Sequence, residues 1–355
     1  MGKEIIILTI SMGNDGAERV LSELSREWTR LGHKITIIQT GADNYGVSYK
    51  ISNNIEILNI HATSKIKPIR YIQEIKRVIK ILNARPNATV ISFIVSSIFI
   101  CGVASLFVDN KIVVSERNNP KEVPSGKLQQ KLRDWAFCCA DVCVFQTKEA
   151  MSMFPKKVQQ KGVVIPNPIN GSLPEPFKGE RRKAIIAACR LHPQKNLSML
   201  IEAFAQLHIE YPEYCLEIYG QGNEREKLEK QIQTLGLETN IKLPGFSSNI
   251  HEKMIDATMY VSSSNYEGIS NSMLEALAMG VPTVVTDCPV GGARMIIENG
   301  TNGLLVPVGD VGALYMAMKR LIENPTFAEK ISQNSIRICK QYPIQVISQR
   351  WIDVM

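Results

Sequence analysis

Hydrophobic positions along the first half of the chain come as short continuous runs separated by stretches of helical spacing. Ile5–Ile10 reads as a buried strand, and Ala17–Leu31 places apolar residues at helical intervals before Gly32, a good helix stop. Lys34–Gln39 and Ile55–Ile60 read as strands, and Ile66–Leu82 as a helix. From Ala88 to Val108 no residue is charged, a length able to span a bilayer. Ser92, Ser96, Ser97, Gly102 and Ser105 interrupt that run, and it divides into a strand (Thr89–Ile94) and a short helix (Ser97–Phe107), followed by a strand at Lys111–Ser115. The buried strand–helix reading is preferred to a membrane span. Asp141–Phe145 supplies a further strand.

Pro166, Pro168, Gly171, Pro174, Pro176 and Gly179 then break the pattern and mark a linker running to about Arg182. The alternation restarts with strands at Ala184–Cys189, Tyr214–Tyr219, Ile241–Leu243, Met259–Ser262, Thr283–Thr286 and Gly303–Val306. Helices are expected at Asn196–Ile209, Glu224–Leu235, Asn249–Ala257, Ser270–Met279, Val311–Glu323 and Thr326–Gln341. Alternating strands and helices imply parallel sheets covered on both faces. The expected architecture is α/β, with two Rossmann-like, doubly wound domains facing across a cleft. Residues 1–170 form the first domain, 171–338 the second, and 339–355 a C-terminal helix returning to the first. Ligands in such folds bind at the carboxyl ends of the strands.

Composition agrees with a folded protein of two domains: 355 residues, 45% hydrophobic, 21% charged, mean hydropathy −0.04. The net charge of +7 is uneven. Residues 1–175 hold 23 Lys and Arg against 15 Asp and Glu, whereas residues 176–355 hold 18 against 19. The first half is therefore expected to meet something anionic: phosphate, lipid headgroups or nucleic acid. Of eight cysteines only Cys138, Cys139 and Cys143 cluster, with no histidine nearby, so small buried side chains in a reducing compartment are favoured over a zinc site. The first apolar run, Ile5-Ile6-Ile7-Leu8, is too short for a signal peptide and carries no cleavage site.

Three segments carry candidate chemistry. In Tyr266-Glu267-Gly268-Ile269-Ser270-Asn271-Ser272-Met273-Leu274-Glu275 one carboxylate follows a strand and a second lies eight residues on, within the next helix. Gly268 permits close backbone approach, Ser270 or Asn271 caps the helix, and free amides at a helix start suit a phosphate or a polarised hydroxyl. Two solvated glutamates are the plainer alternative, but Glu275 among Met273, Leu274, Leu277 and Ala278 demands a partner. Arg190-Leu191-His192-Pro193-Gln194-Lys195 follows the first strand of the second domain, where two cations can hold a diphosphate and offset the charge on a departing phosphate oxygen. Taken alone, a surface Arg and Lys is the simpler reading. Between the first strand and first helix, Gly13-Asn14-Asp15-Gly16 is a glycine-bearing turn without a dinucleotide fingerprint.

In this order the segments resemble family 4 of the retaining glycosyltransferases, which have the GT-B fold. The resemblance spans the chain. It rests on Asp15-Gly16-Ala17-Glu18-Arg19, Asn167-Pro168, Arg190 with Lys195, Gly220-Gln221-Gly222, Pro244-Gly245-Phe246, the E-x7-E pair Glu267/Glu275, Gly291-Gly292, and Asn302-Gly303-Leu304-Leu305-Val306-Pro307. It implies that Arg190 and Lys195 grip the donor diphosphate and stabilise the leaving nucleotide. It implies that Glu275 bonds the ribose hydroxyls, and that Glu267 with the amides of Gly268 and Ile269 contacts the transferred sugar. Gly16, Gly220, Gly222 and Ser270 line the donor site, and Pro244, Gly245 and Phe246 lie beside the base. The resemblance implies no metal and no cofactor. Many relatives carry a histidine after the strand ending at Ser115; this chain has Glu116-Arg117-Asn118 there. Arginine is no base at neutral pH, so Asn14, Glu116 and Arg117 are assigned to acceptor or phosphate binding.

The expected activity moves a hexose or N-acetylhexosamine from a UDP-linked donor to an acceptor hydroxyl with α linkage. Same-face attack is favoured over double displacement through Glu267. Residues 65–82 hold six basic residues against one acidic, with Ile69, Ile72, Ile75, Ile79 and Leu82 at helical spacing. This helix either packs with a solvated basic face or also lies on anionic lipid; Lys121, Lys127, Lys131, Arg133, Lys156, Lys157 and Lys161 add charge to the same half. The expected partners are a nucleoside-diphosphate sugar, a polyprenyl-diphosphate-linked glycan and an anionic membrane surface, on the cytoplasmic face. A nucleotide-sugar epimerase, a phosphorylase and a non-catalytic sugar-nucleotide module are the competing readings. Nucleic-acid binding is disfavoured, because no aromatics cluster within the basic stretches.

Overall fold

The computed structural model describes residues 2–13, 16–41, 51–169 and 171–355. In chain order the elements are β1 (Glu4–Thr9), α1 (Gly16–Arg30), β2 (Lys34–Gln39), β3 (Glu56–Asn59), α2 (Lys67–Asn83), β4 (Thr89–Ser92), α3 (Val95–Ala104), β5 (Ile112–Glu116), α4 (Lys127–Cys139), β6 (Val142–Phe145), α5 (Lys148–Ser152), α6 (Lys156–Gln159) and β7 (Gly162–Val164). There follow β8 (Arg182–Ala188), α7 (Leu197–Glu210), β9 (Cys215–Tyr219), α8 (Arg225–Thr234), β10 (Ile241–Gly245), α9 (Ile250–Met254), β11 (Ala257–Ser262), α10 (Asn271–Ala278), β12 (Thr283–Thr286), α11 (Gly292–Ile296), β13 (Leu304–Val306), α12 (Val311–Glu323), α13 (Pro325–Ser335), α14 (Ile338–Gln341) and α15 (Ile344–Asp353). The chain divides into one unit of Met1–Pro168 with Ile344–Met355 and another of Ile169–Pro343.

In the first unit the described strands form one parallel sheet in the order β3-β2-β1-β4-β5-β6-β7. Its central strands are apolar on both sides: Ile5, Ile6, Ile7, Leu8, Val113 and Val114 are fully buried, as helices on both faces require. Right-handed crossovers place α2, α3 and α4 on one face and α1 on the other. Accordingly α3 packs against both α2 and α4, and α1 against α15. The last helix is anchored by Trp351, fully buried, whose ring lies 6.4 Å from that of Trp28 and 5.1 Å from that of Phe93. Trp28 Nε1 donates to the Ser348 carbonyl, Lys3 Nζ to the Ile352 and Met355 carbonyls. Burying a side chain of this size contributes roughly 2–3 kcal/mol.

The uncharged stretch from Ala88 folds as β4 and α3, and no described helix is long and apolar enough to cross a membrane. Helix α3 ends at Ala104, before the expected stop, so Leu106 and Phe107 fall in a turn and are each 62% exposed. Not every cation of the basic half faces water. Arg133, counted above with the surface charges, is 4% exposed: it donates to the Pro120 and Val123 carbonyls, pairs with Asp134 at 2.8 Å and stacks over Phe154. It ties α4 to the loop after β5.

The second unit holds a parallel sheet in the order β10-β9-β8-β11-β12-β13. Its core gathers Ile185, Leu200, Phe204, Leu216 and Val261 on one side and Tyr260, Met273, Leu277 and Val285 on the other. The order sets the carboxyl ends of β10, β9, β8, β11 and β12 side by side. The helix expected over Thr326–Gln341 is two helices, α13 and α14, separated by a turn at Ile336–Arg337.

Candidate functional site

The loops after β8 and β11, neighbouring strands, bring two predicted residues together. Lys195 Nζ bonds Glu267 Oε2, and Ser264 Oγ donates to the same oxygen at 3.4 Å. The two side chains are only 12% and 22% exposed. Burial works against the Lys195 ammonium, but the Glu267 carboxylate outweighs it and holds the lysine pKa above its ordinary value. The same burial pushes the neighbouring Cys189 thiol up to about 11, so it stays neutral.

The backbone that presents these groups is bonded on several sides. Asn196 adopts the left-handed conformation at φ 44°, between the 3₁₀ turn Pro193–Lys195 and α7, and its Nδ2 donates to Asn265 Oδ1 at 3.0 Å. Ser263 Oγ donates to the Lys195 and Asn196 carbonyls, and Gln194 Nε2 to the Tyr266 carbonyl. The Glu267 amide donates to the Pro289 carbonyl at 2.7 Å, and the Val290 amide returns to the Glu267 carbonyl at 3.0 Å. Gly292 packs so tightly here that a Cβ on it would lie 1.8 Å from the Gly268 carbonyl oxygen. A cavity of about 10 Å³, room for about one water, is lined by Ser264, Glu267, Gly268, Ser270 and Cys288. The much larger groove of the unit, about 680 Å³ beside β13 and α12, contains none of these residues.

Arg190 is exposed at the head of the same loop. Gly220, at φ 136°, would place a Cβ 1.8 Å from the Cys189 carbonyl oxygen, and Gly222 one 2.1 Å from that of Leu191. These two glycines therefore seat the Gly220–Gly222 turn directly on the Arg190 loop, with Leu191 N donating to the Gln221 carbonyl. Gly220 N in turn donates to the Gly245 carbonyl, which leaves Pro244 and Phe246 exposed at the end of β10, Phe246 by 61%. Ser270 caps α10 by accepting from the Met273 amide, and Ser272 Oγ donates to the Ala188 carbonyl at the end of β8. Glu275 is 4% exposed on its apolar helix, and His251 Nε2 of α9 lies 3.0 Å from its Oε2. His251 was not foreseen, because the pair joins helices more than twenty residues apart in sequence.

The first unit places its predicted residues differently. Glu116 ends β5, and its Oε1 accepts the Arg117 and Asn118 amides at 3.0 Å each. Its Oε2 is buried with no partner among the described residues. Burial pushes this carboxyl up to about 7, against the pull of Arg133 and the two amides. Arg117 lies 4.3 Å over the Phe93 ring and 5.8 Å from that of Trp351. Both its terminal nitrogens are shielded from solvent and unpartnered among the described residues, and burial lowers its pKa to about 9, so it remains a cation at neutral pH. Ser92, Ser96, Ser97 and Ser115, at the same carboxyl edge of β4 and β5, also have hydroxyls without a partner among the described residues. Gly16 begins α1, after which Glu18 accepts from Ser11 Oγ. Asn14 and Asp15 lie outside the described residues.

With both sheets in view, the chain has the GT-B fold of two Rossmann-like, parallel-sheet units. Over 99% of its length it is similar in fold to Anabaena HepE in complex with UDP and glucose (TM-score 0.85, 17% identity, 98% of that chain). Residues 173–337 match the family model described as glycosyl transferases group 1, so the second unit carries a glycosyltransferase group 1 domain. An exopolysaccharide phosphotransferase of Streptomyces coelicolor is 30% identical over 254 residues, 70% of this chain and 26% of that protein. The chain likewise spans only about a quarter to a third of the length of several other curated relatives. Along nearly its whole length it is 25% identical to the Campylobacter jejuni α-1,4-N-acetyl-D-galactosaminyltransferase named for a GalNAc-GalNAc-diNAcBac-PP-undecaprenol acceptor, covering 99% of this chain and 97% of that protein.

Proposed function

We propose that the chain is a retaining glycosyltransferase that moves a hexose or N-acetylhexosamine from a UDP-linked donor to an acceptor hydroxyl, without a metal or cofactor. The observation that carries the reading is the shielded Lys195–Glu267 pair at the carboxyl ends of β8 and β11. In the described structure the cation is neutralised by the carboxylate. A donor diphosphate, with more charge and more acceptor oxygens, takes over Lys195 together with Arg190. Glu267 is then released to accept from the hydroxyls of the sugar, beside the Gly268 and Ile269 amides. Glu275, beside His251, bonds the ribose, and the Pro244–Phe246 segment lies beside the base; Ser270 and the Gly220–Gly222 turn complete the donor site. Gly16 is read, from the resemblance alone, as a backbone approach to phosphate.

Transfer proceeds by same-face attack. The sugar C1–phosphate oxygen bond breaks as the acceptor oxygen bonds C1, and the acceptor proton passes to the leaving phosphate oxygen. Lys195 and Arg190 stabilise the charge that develops there. The acceptor is a polyprenyl-diphosphate-linked glycan at the cytoplasmic membrane face. The named acceptor of the Campylobacter relative and the excess cations of residues 1–175 support this part of the reading. Arg117, a shielded cation whose terminal nitrogens have no partner among the described residues, contacts acceptor phosphate, and Glu116 Oε2 accepts from an acceptor hydroxyl. The test is a panel of UDP-, GDP- and dTDP-sugars, assayed for nucleotide release and by NMR for the anomeric configuration of the product. Release from UDP-hexose or UDP-N-acetylhexosamine with an α product is expected; release from none of them, or a β product, would overturn the proposal.

A further inference from the structure

Helix α4 carries a second apolar row outside its core-facing side. Arg133, Ala136 and Phe137 face inward, whereas Leu128, Leu132 and Trp135, one helical row, are 71%, 43% and 37% exposed. Gly102 of α3 allows this closeness: a Cβ there would lie 2.8 Å from that of Ala136, and Trp135 packs against the same turn, 5.9 Å from the Phe99 ring. The helix is thus seated through Ala136 and Phe137, while Leu128 and Leu132 point to solvent and Trp135 lies partly exposed beside them. Exposed Lys121, Lys127 and Lys131 flank the row. The nearby acids count for less: Asp134 is committed to Arg133, and only Glu122 stands exposed.

On the same face of the sheet α2 repeats the pattern. Ile66, Ile69 and Ile72 are 59%, 43% and 54% exposed, among Lys65, Lys67 and Arg70, and the one acid of the stretch, Glu74, is buried. Crossover helices start at the carboxyl edge of the strand they leave. The topology therefore sets both exposed rows at the edge that carries Glu116 and Arg117. Leucine, isoleucine and tryptophan ringed by lysine is the composition that enters the acyl boundary of an anionic bilayer while its cations remain among the headgroups.

We propose that α4 is a membrane-insertion element: Leu128, Leu132 and Trp135 enter the acyl region of an anionic leaflet, with Lys121, Lys127 and Lys131 on the headgroups and the α2 row beside them. This deepens the lipid-linked acceptor reading and rests on it for its purpose, yet it is tested without donor or acceptor. The three tryptophans make the test selective, since Trp28 and Trp351 are fully buried and only Trp135 is exposed. The full chain is mixed with phosphatidylcholine vesicles with or without phosphatidylglycerol, and with matching vesicles of brominated acyl chains. Blue-shifted, bromolipid-quenched emission on the anionic vesicles is expected, with quenching lost in Trp135→Phe. Leu128→Ser/Leu132→Ser, at exposed positions, should bind these vesicles about tenfold more weakly, while its nucleotide-sugar hydrolysis stays that of the unaltered protein. Vesicle binding without quenching, or unaltered binding by the double variant, would overturn insertion. So would a dimer in light scattering that shields Trp135 without lipid, which would assign the row to a second copy. Loss of sugar transfer with insertion intact would instead count against the catalytic reading alone.

Discussion

The carboxyl edges of the two sheets treat their charges in opposite ways. In the second unit Lys195 is bonded to Glu267, and His251 lies 3.0 Å from Glu275. In the first, Glu116 keeps one oxygen and Arg117 both terminal nitrogens buried without a partner among the described residues. The bonded Lys195–Glu267 pair is charge-compensated and so holds a preformed geometry; a buried cation with free donors is costly and gains most from an added anion. On the proposed function, the contrast separates a donor site that exchanges partners from an acceptor edge that acquires them.

The largest effect expected from breaking this contrast is at the matched pair. Lys195→Ala should lower kcat for transfer about a hundred- to a thousandfold at saturating donor, read in steady-state kinetics. Gly292→Ala should follow, because its Cβ has no room against Gly268. A displaced Glu267 loop is expected to raise the donor KM about tenfold and to destabilise the unit by roughly 2 kcal/mol, read by kinetics and denaturant melts. On the other edge, Arg117→Ala should raise the acceptor KM about tenfold with donor hydrolysis unchanged, and Arg117→Lys should restore part of the loss.

The smallest effect concerns Glu116. Its folded pKa of about 7 lies above its ordinary value because of burial. The neutral acid therefore suits the fold, and stability present below the ordinary carboxylate range is lost as pH rises through about 7. Glu116→Gln keeps an oxygen for the two amides and removes the charge. It should be more stable than the unaltered protein by roughly 1 kcal/mol at pH 8 and equal to it at pH 5, read from thermal melts across pH.

Much of this was legible in the sequence, because both sheets rest on local signals. Lys34–Gln39, Thr283–Thr286 and Val311–Glu323 fall where periodicity puts them, since uninterrupted apolar runs and helical spacing are properties of adjacent residues. Lys195 and Glu267 stood out in the sequence as candidates through their motifs, though not as partners of each other. What escaped depends on distant contacts. The His251–Glu275 pair joins α9 and α10, and the demand of a buried carboxylate on an apolar helix was its only trace. Arg133 looked like one more surface cation because nothing local says that the Pro120 and Val123 carbonyls surround it. Gly220 and Gly222 were assigned to the donor site by resemblance; that they also seat their turn on the Arg190 loop is a distant contact no local signal shows. Helix α4 escaped for the opposite reason: its apolar row obeys helical spacing but faces outward, and spacing alone does not say which side meets the sheet.

The most direct test of the contrast is calorimetric titration of UDP into the unaltered chain, Lys195→Ala and Arg117→Ala. The account predicts that Lys195→Ala binds UDP at least about tenfold more weakly and that Arg117→Ala binds it as the unaltered chain does. Undiminished UDP binding by Lys195→Ala, or its loss in Arg117→Ala, would contradict the assignment of the donor to the second unit.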